Sequence, residues 1–178
     1  MVLTSKSESA EVMPIFLLAL VSKAGLRTLY DLQQQAGLQP GGIIPILRQL
    51  ENGGLLKRSE EGKRRRRILA VTTEGERVLA TDWPGCVVFH RDVESVLRAS
   101  TIALLMGQSH LARNYLIDVA AEYESKSRNL PTRDVHSSQS VLDLYVSMRG
   151  GWETARLESA AETLRGIAGD LQTSKAVQ

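Results

Sequence analysis

Apolar residues recur at helical spacing along most of this chain, in stretches separated by short polar breaks. Glu11–Lys23 is apolar nearly all round, which predicts a helix buried on every side. Two shorter amphipathic helices are predicted next, at Leu26–Ala36 and Gly41–Asn52, and Gly37 suits a left-handed cap at the end of the former. Two helices joined by so short a turn are typical of a helix-turn-helix.

The third predicted helix has two distinct faces. Its apolar residues recur at steps of three and four and form an inward stripe of Ile43, Ile46, Leu47 and Leu50. The opposite face carries Gly41, Ile44, Pro45, Arg48 and Asn52. Because Pro45 falls in or just after the first turn, its missing N–H costs little. The outward face is therefore free to contact another molecule.

After Gly53-Gly54 the pattern changes from helical spacing to alternation. Leu55–Ser59 and Arg64–Thr72 are predicted strands, joined by a turn that contains Gly62. In the return strand the arginines are next to the turn and the apolar residues are at the base. The pattern predicts a hairpin whose base packs and whose tip reaches out, which is the geometry of a wing.

The rest of the chain is predicted to be helical apart from a connector and one loop. The predicted segments are a helix at 73–80, a connector at 81–88, helices at 90–106 and 109–125, a loop at 128–138 and a long helix at 141–171. Gly107 leaves open whether the two middle helices are one bent helix or two. Gly150-Gly151 is a candidate kink in the last one.

These elements predict a mainly α protein with a small β-hairpin wing. The expected order is a winged helix-turn-helix domain followed by a C-terminal helical dimerisation domain. The predicted ranges are a flexible arm at 1–10, a DNA-binding domain at 11–80, a connector at 81–90 and a helical dimerisation and effector domain at 91–178.

The last helix contains a short heptad-like seam. Leu157, Ala160, Leu164, Ile167 and Leu171 follow one another at steps of three and four over about two heptads. One interpretation is packing within the chain. The other is a dimer seam, for which the candidate residues are Leu157, Leu164, Ile167 and Leu171.

Charge changes the picture most around the hairpin. The 178 residues have a net charge of +2, yet Lys57–Arg67 alone contains seven basic and two acidic residues. The remainder of the chain is therefore mildly acidic. A concentrated basic patch on such a body indicates a site for a polyanion.

Composition argues against several other classes of protein. A single cysteine, Cys86, cannot form an intrachain disulfide and is expected to be a small buried side chain. The longest apolar run, Val12–Val21, is too short to cross a bilayer. The three histidines are scattered, and there is no Gly-rich phosphate loop. We therefore expect a cytoplasmic protein without catalytic activity, cofactor, metal or membrane contact.

Residues 11–80 resemble the PadR-type transcriptional regulators, a family named for a phenolic-acid repressor. The family opens its recognition helix with a Gly-Thr-Ile-Tyr-Pro run, and this chain has Gly41-Gly42-Ile43-Ile44-Pro45. Leu47, Leu50, Gly54 and Leu55 follow at the family's spacing, and Val71-Thr72-Thr73-Glu74-Gly75 follows the basic hairpin. Met148–Trp152, leading into the last helix, is similar to the helical tail of the longer members. The resemblance implies a homodimeric DNA-binding regulator, expected to be a repressor.

Three departures from the family pattern affect the expected contacts. Ile44 replaces a tyrosine whose hydroxyl can reach a phosphate, and Gly42 replaces a residue able to cap the helix. Ile68 and Leu69 replace an aromatic pair. More of the affinity for DNA is therefore expected to come from the arginines of the hairpin.

The partner predicted from these features is double-stranded DNA, bound by the hairpin through phosphates and by the third helix through base edges. The candidate DNA-binding residues are Tyr30, Gly42, Ile44, Arg48, Gln49, Lys57, Arg58, Lys63, Arg64, Arg65, Arg66 and Arg67. For Arg48, contact with a phosphate and contact with a base are equally compatible with its position. A homodimer would read an inverted repeat.

Two further hypotheses concern other partners. Trp83, Tyr145, Arg149 and Trp152 are candidates to line a pocket for a small aromatic effector, although such side chains usually belong to a core. The alternative function is a winged-helix scaffold that binds proteins and not DNA, suggested by Ile44 and by the large helical tail.

Overall fold

A computed structural model describes residues 8–61, 66–90, 92–130 and 141–173 of the chain. The elements are α1 (Glu8–Ser22), α2 (Leu29–Ala36), α3 (Pro40–Asn52), β1 (Leu56–Glu61), β2 (Arg66–Val71), α4 (Thr73–Asp82), a 3₁₀ turn (Trp83–Cys86), α5 (Val93–Leu105), α6 (Ser109–Asn129) and α7 (Val141–Thr173). The predicted mainly helical fold with one small hairpin is confirmed. It is compatible with a winged helix.

The chain forms two compact units, Met1–Ala112 and Arg113–Gln178. They do not coincide with the ranges predicted from the sequence, because α5 packs along α1 in the first unit. Helix α1 is apolar on all sides, so its burial requires neighbouring elements on more than one side, and α5 is one of them. Its residues from Ile15 to Val21 are all buried.

Helix α2 begins three residues later than predicted, and the sequence around Thr28 explains the difference. The Thr28 hydroxyl accepts a hydrogen bond from the Asp31 N–H at 3.0 Å, and the Asp31 carboxylate accepts one from the Thr28 N–H at 2.9 Å. This reciprocal capping box starts the helix at Leu29. Its far end has the predicted left-handed cap, with φ of 65° at Gly37.

Several other boundaries differ from prediction in simple ways. Gly107 takes a φ of 77° and separates α5 from α6, which resolves the choice in favour of two helices. Helix α7 continues through the candidate kink at Gly150-Gly151 as a single helix, as predicted for this segment. Part of the predicted loop, residues 131–140, lies outside the described residues.

The hairpin joins the first unit through both strands. Leu56 of β1 and Leu69 of β2 are buried, and the Leu69 N–H donates to the Arg27 carbonyl at 2.7 Å. At the base, the Thr72 N–H donates to the Leu55 carbonyl at 3.0 Å. The loop before α2 is thus bonded to β2, which fixes the hairpin beside α2 and α3.

The first turn of α4 leaves no room for a side chain at Gly75. A Cβ there would lie 2.2 Å from the Leu55 carbonyl oxygen and 2.7 Å from Cγ1 of Val71. We therefore expect Gly75→Ala to destabilise the protein by about 1–3 kcal/mol through overpacking. Gly41→Ala is the matched control, because a Cβ there meets nothing within 4 Å. Thermal unfolding of both variants checks this, and an equal melting temperature for the two would contradict it.

A carboxylate on α4 ties this helix to the end of α1. Glu76 accepts hydrogen bonds from the Ser22 hydroxyl and from Lys23 Nζ at 2.9 Å. These bonds, the one from Ser22 foremost, hold the pKa of Glu76 below its ordinary value of 4.5.

Glu76 should therefore make stability depend on pH. Because its pKa is lowered in the folded protein, its contribution is fully present above pH 4.5 and is lost as the pH falls through the lowered value. Melting temperatures of wild type and Glu76→Gln should differ at pH 7 and converge as the pH falls through the lowered pKa of Glu76. A constant difference over that range would show that the ionised carboxylate contributes nothing.

The second unit is an antiparallel pair formed by most of α6 and by α7. Ser127 donates to Glu158 at 3.1 Å, Arg113 donates to Gln172 at 2.9 Å, and Arg165 pairs with Glu124 between them. Apolar side chains on both helices are buried along the same stretch. They are Tyr115, Leu116, Val119, Ala120 and Tyr123 on α6, and Leu157, Ala161, Leu164 and Ala168 on α7.

Candidate nucleic-acid interface

The hairpin has two faces, which its register defines. Residues directly opposite one another in an antiparallel pair point to the same face. The face of the buried Leu69 also carries Arg58 and Arg67, while Lys57 is paired with Ala70 on the other face. The alternation predicted for the return strand is confirmed from Arg67 to Val71. Two of the basic side chains are thus placed on the face that packs toward α2 and α3.

A small pocket lies where this face of the hairpin meets α3. We call it the arginine pocket. Its volume is about 190 Å³, and it is lined by Leu29, Ile44, Leu47, Arg48, Arg58, Arg67 and Leu69. Four apolar side chains from α2, α3 and β2 line it together with three arginine side chains. Three cations around an apolar depression are suited to an anionic group, because charge interactions strengthen where water is partly excluded.

Among the side chains that the structure describes, a carboxylate from α3 reaches this cluster. Glu51, in the last turn of α3, forms an ion pair with Arg58 of β1. Both side chains are partly covered, with 23% and 30% of their surface exposed. No pattern in the sequence predicts this pair, because it depends on how the hairpin folds back over the end of α3.

The other predicted contact residues are distributed around the pocket. Gly42 is exposed in the first turn of α3, and Tyr30 is 69% exposed on α2. Gln49 is exposed but lines a second cavity, away from the pocket. The structure therefore brings Ile44 and Arg48 together with Arg58 and Arg67 of the hairpin, and leaves Gln49 apart from them.

Most of the residues predicted for the tip of the hairpin lie outside the described part of the chain. These are Lys63, Arg64 and Arg65. Arg66 is the first residue of β2 and stands opposite Glu61 in the register. Arg67 follows it on the inner face, where its side chain is exposed and lines the arginine pocket.

The second cavity lies on the other side of α3. Its volume is about 610 Å³, and it is bounded by α1, the end of α3, α4 and the segment from Gly85 to His90. Most of its lining is apolar. Cys86 and His90, both buried, are part of its wall, so the prediction of a buried cysteine is confirmed.

The four residues predicted to line an effector pocket are divided between the two units. Trp83 is in the first unit, whereas Tyr145, Arg149 and Trp152 are on α7 in the second. Tyr145 and Trp152 expose 58% and 63% of their surfaces. In the second unit these side chains lie open at the surface, with Arg156 over the Trp152 ring at 5.6 Å.

The predicted seam of α7 is largely occupied within the chain. Leu157 and Leu164 are buried, and Ile167 and Leu171 are half-buried. The apolar surface that α7 does expose comes earlier in the helix, in a stripe of Tyr145, Met148 and Trp152 with Val146 beside it. Those three residues follow one another at steps of three and four, which places them on one face.

Comparison with protein-family models, with curated proteins and with solved structures gave no match for this chain. Among the helices of the described ranges, none has the length and apolarity needed to cross a bilayer.

Proposed function

We propose that this protein is a sequence-specific DNA-binding transcriptional regulator of the winged-helix type. The observation that carries the proposal is the arginine pocket, in which Arg48 of α3 and Arg58 and Arg67 of the hairpin line one small depression. A helix and a hairpin that present cations to the same space can hold one stretch of phosphate backbone.

In this proposal α3 is the recognition helix and the hairpin is the wing. The N-terminal half of α3, with Gly42 and Ile44, enters the major groove, where Ile44 can contact a thymine methyl. The arginines supply affinity and fix the register on the duplex. The order of elements and the Val71–Gly75 motif support our assignment to the PadR-type regulators.

We further propose that the protein acts as a homodimer on an inverted repeat. A single helix and wing read only a short site, and a twofold dimer reads two copies of it. The exposed stripe of Tyr145, Met148 and Trp152 supports this proposal, because large apolar side chains grouped on one face favour association. The stripe replaces the seam of Leu157 and Leu164 as the dimer surface we favour.

Fluorescence anisotropy with DNA from upstream of the protein's own gene tests the proposed function. We expect tighter binding to one segment of that DNA than to a scrambled duplex, and a steep fall in affinity with salt. Equal affinity for both duplexes would rule out sequence-specific regulation. Affinity that does not respond to salt would rule out a phosphate-binding wing.

The exposed stripe on α7 also supports a second candidate, a scaffold that binds another protein through Met148 and Trp152. The two candidates differ in their dependence on the hairpin. A scaffold keeps its partner when the hairpin arginines are neutralised, whereas a DNA-binding regulator loses its ligand.

A further inference from the structure

We propose that the arginine pocket binds one DNA backbone phosphate, and that in the free protein Glu51 competes with this phosphate for one of the lining arginines, Arg58. The identity of the phosphate as a phosphodiester rests on the proposed function. The pocket's affinity for a phosphate group rests on its own geometry.

The volume of the arginine pocket and the residues that line it indicate which ligand fits. A volume of about 190 Å³ is below that of sites for drug-sized molecules, so the pocket suits a small group. Among the described residues, the polar side chains that line it are all arginines, and guanidinium groups bind phosphate oxygens through paired N–H donors. The apolar wall, which includes Ile44 and Leu69, limits the water that competes for those donors.

The ion pair explains how three arginines share this space without DNA. Arg48, Arg58 and Arg67 carry like charges that repel one another, and the Glu51 carboxylate offsets part of that repulsion by pairing with Arg58. A phosphate that enters the pocket offers Arg58 an equivalent anionic oxygen. Binding therefore exchanges one anion for another on Arg58. Because the Glu51–Arg58 pair must first be broken, its free-energy cost makes binding to DNA weaker than it would be without Glu51.

This exchange predicts that removing a carboxylate strengthens binding only while Arg58 is present. Glu51→Gln should raise the affinity for duplex DNA by up to about fivefold. That factor corresponds to the free energy of a partly exposed ion pair. Arg58→Gln should weaken binding about fivefold at physiological salt and reduce the log–log salt slope by about 0.9, the value for one phosphate. Arg77→Gln is the matched control, since Arg77 is also ion-paired with a carboxylate, Glu74, but does not line the pocket.

The double variant is decisive. If Glu51 acts through Arg58, then Glu51→Gln should have no effect on affinity in the Arg58→Gln background. If Glu51 merely repels DNA by its charge, the gain should be the same in both backgrounds, and the inference would be overturned. It would likewise be overturned if Arg58→Gln and Arg77→Gln lost the same affinity and slope.

A second measurement uses the free protein and does not depend on DNA binding. Inorganic phosphate should shift the Nε–Hε NMR signals of Arg48, Arg58 and Arg67 more than chloride does at equal ionic strength. In the Glu51→Gln variant the same shifts should need less phosphate. Signals that respond equally to phosphate and chloride would overturn the inference. If phosphate binds in the pocket but no duplex does, the phosphate site and its competition with Glu51 stand, and the proposed function fails.

Discussion

Replacing Arg64, Arg65, Arg66 and Arg67 together with alanine should lower affinity for DNA by about 10²–10³-fold at physiological salt. If each of the four neutralises a phosphate, the log–log salt slope should become shallower by up to about 3.6, at about 0.9 per phosphate. The four residues are consecutive and form the most basic run of the chain. Anisotropy titrations at several salt concentrations measure both quantities.

The matched control is the same four positions changed to lysine. Lysine keeps the charge but lacks the paired donors of arginine, so the salt slope should stay near that of wild type. Arg67, the one of the four whose side chain the structure describes, also lines the arginine pocket, so Arg67→Lys tests the geometry of the guanidinium as well as its charge. Unchanged binding in the four-alanine variant would contradict DNA binding through the wing.

Leu164→Glu should unfold or strongly destabilise the protein, by about 4 kcal/mol or more. The Leu164 side chain is fully buried within the single chain, between polar contacts that join α6 and α7. The variant loses this burial and places a carboxylate in an apolar environment. Circular dichroism should show a melting temperature lower by about 10 °C or more.

Met148→Glu is the comparison that separates folding from association. Met148 is 62% exposed on the stripe of α7, so its replacement should leave the melting temperature of the monomer nearly unchanged. In the proposed dimer, the new glutamate would be buried as a charge at the interface. The mass in solution should therefore shift from that of a dimer to that of a monomer. A folded, monomeric Leu164→Glu variant, or a dimeric Met148→Glu variant, would reassign the interface to the Leu157–Leu171 seam.

Local patterns predicted the elements near the hairpin well. The all-round apolar character of α1, the stripe of α3 and the left-handed cap at Gly37 depend on neighbours within a few residues. Each is visible in the sequence for that reason. The alternation in β2 likewise places Arg67 and Leu69 on one face, because the side-chain period of a strand is a local property.

The features that depend on tertiary packing were missed. The assignment of α5 to the first unit follows from the needs of α1, which is distant in the sequence, and no local pattern reports it. The steps of three and four in α7 are the same for a helix that packs on α6 and for one that packs on a second copy. Only the burial of Leu157 and Leu164 within the chain distinguishes these two cases.

The arginines of the candidate site were predictable from the sequence, but their arrangement was not, because it depends on tertiary packing. Arg48, Arg58 and Arg67 were identified separately from their charge and position. They converge because β2 is held beside α2. The hydrogen bond from the Leu69 N–H to the Arg27 carbonyl holds it there. Glu51 has no distinguishing sequence context, so its pairing with Arg58 appears only once the hairpin is in place.

Hydroxyl-radical footprinting on DNA from upstream of the protein's own gene tests the central claim most directly. The proposed dimeric regulator predicts two protected half-sites related by twofold symmetry, with centres about one helical turn, or a multiple of it, apart. The four-alanine variant should lose this protection at the same protein concentration. Uniform protection along the fragment, or none, would contradict the claim that this protein is a sequence-specific DNA-binding dimer.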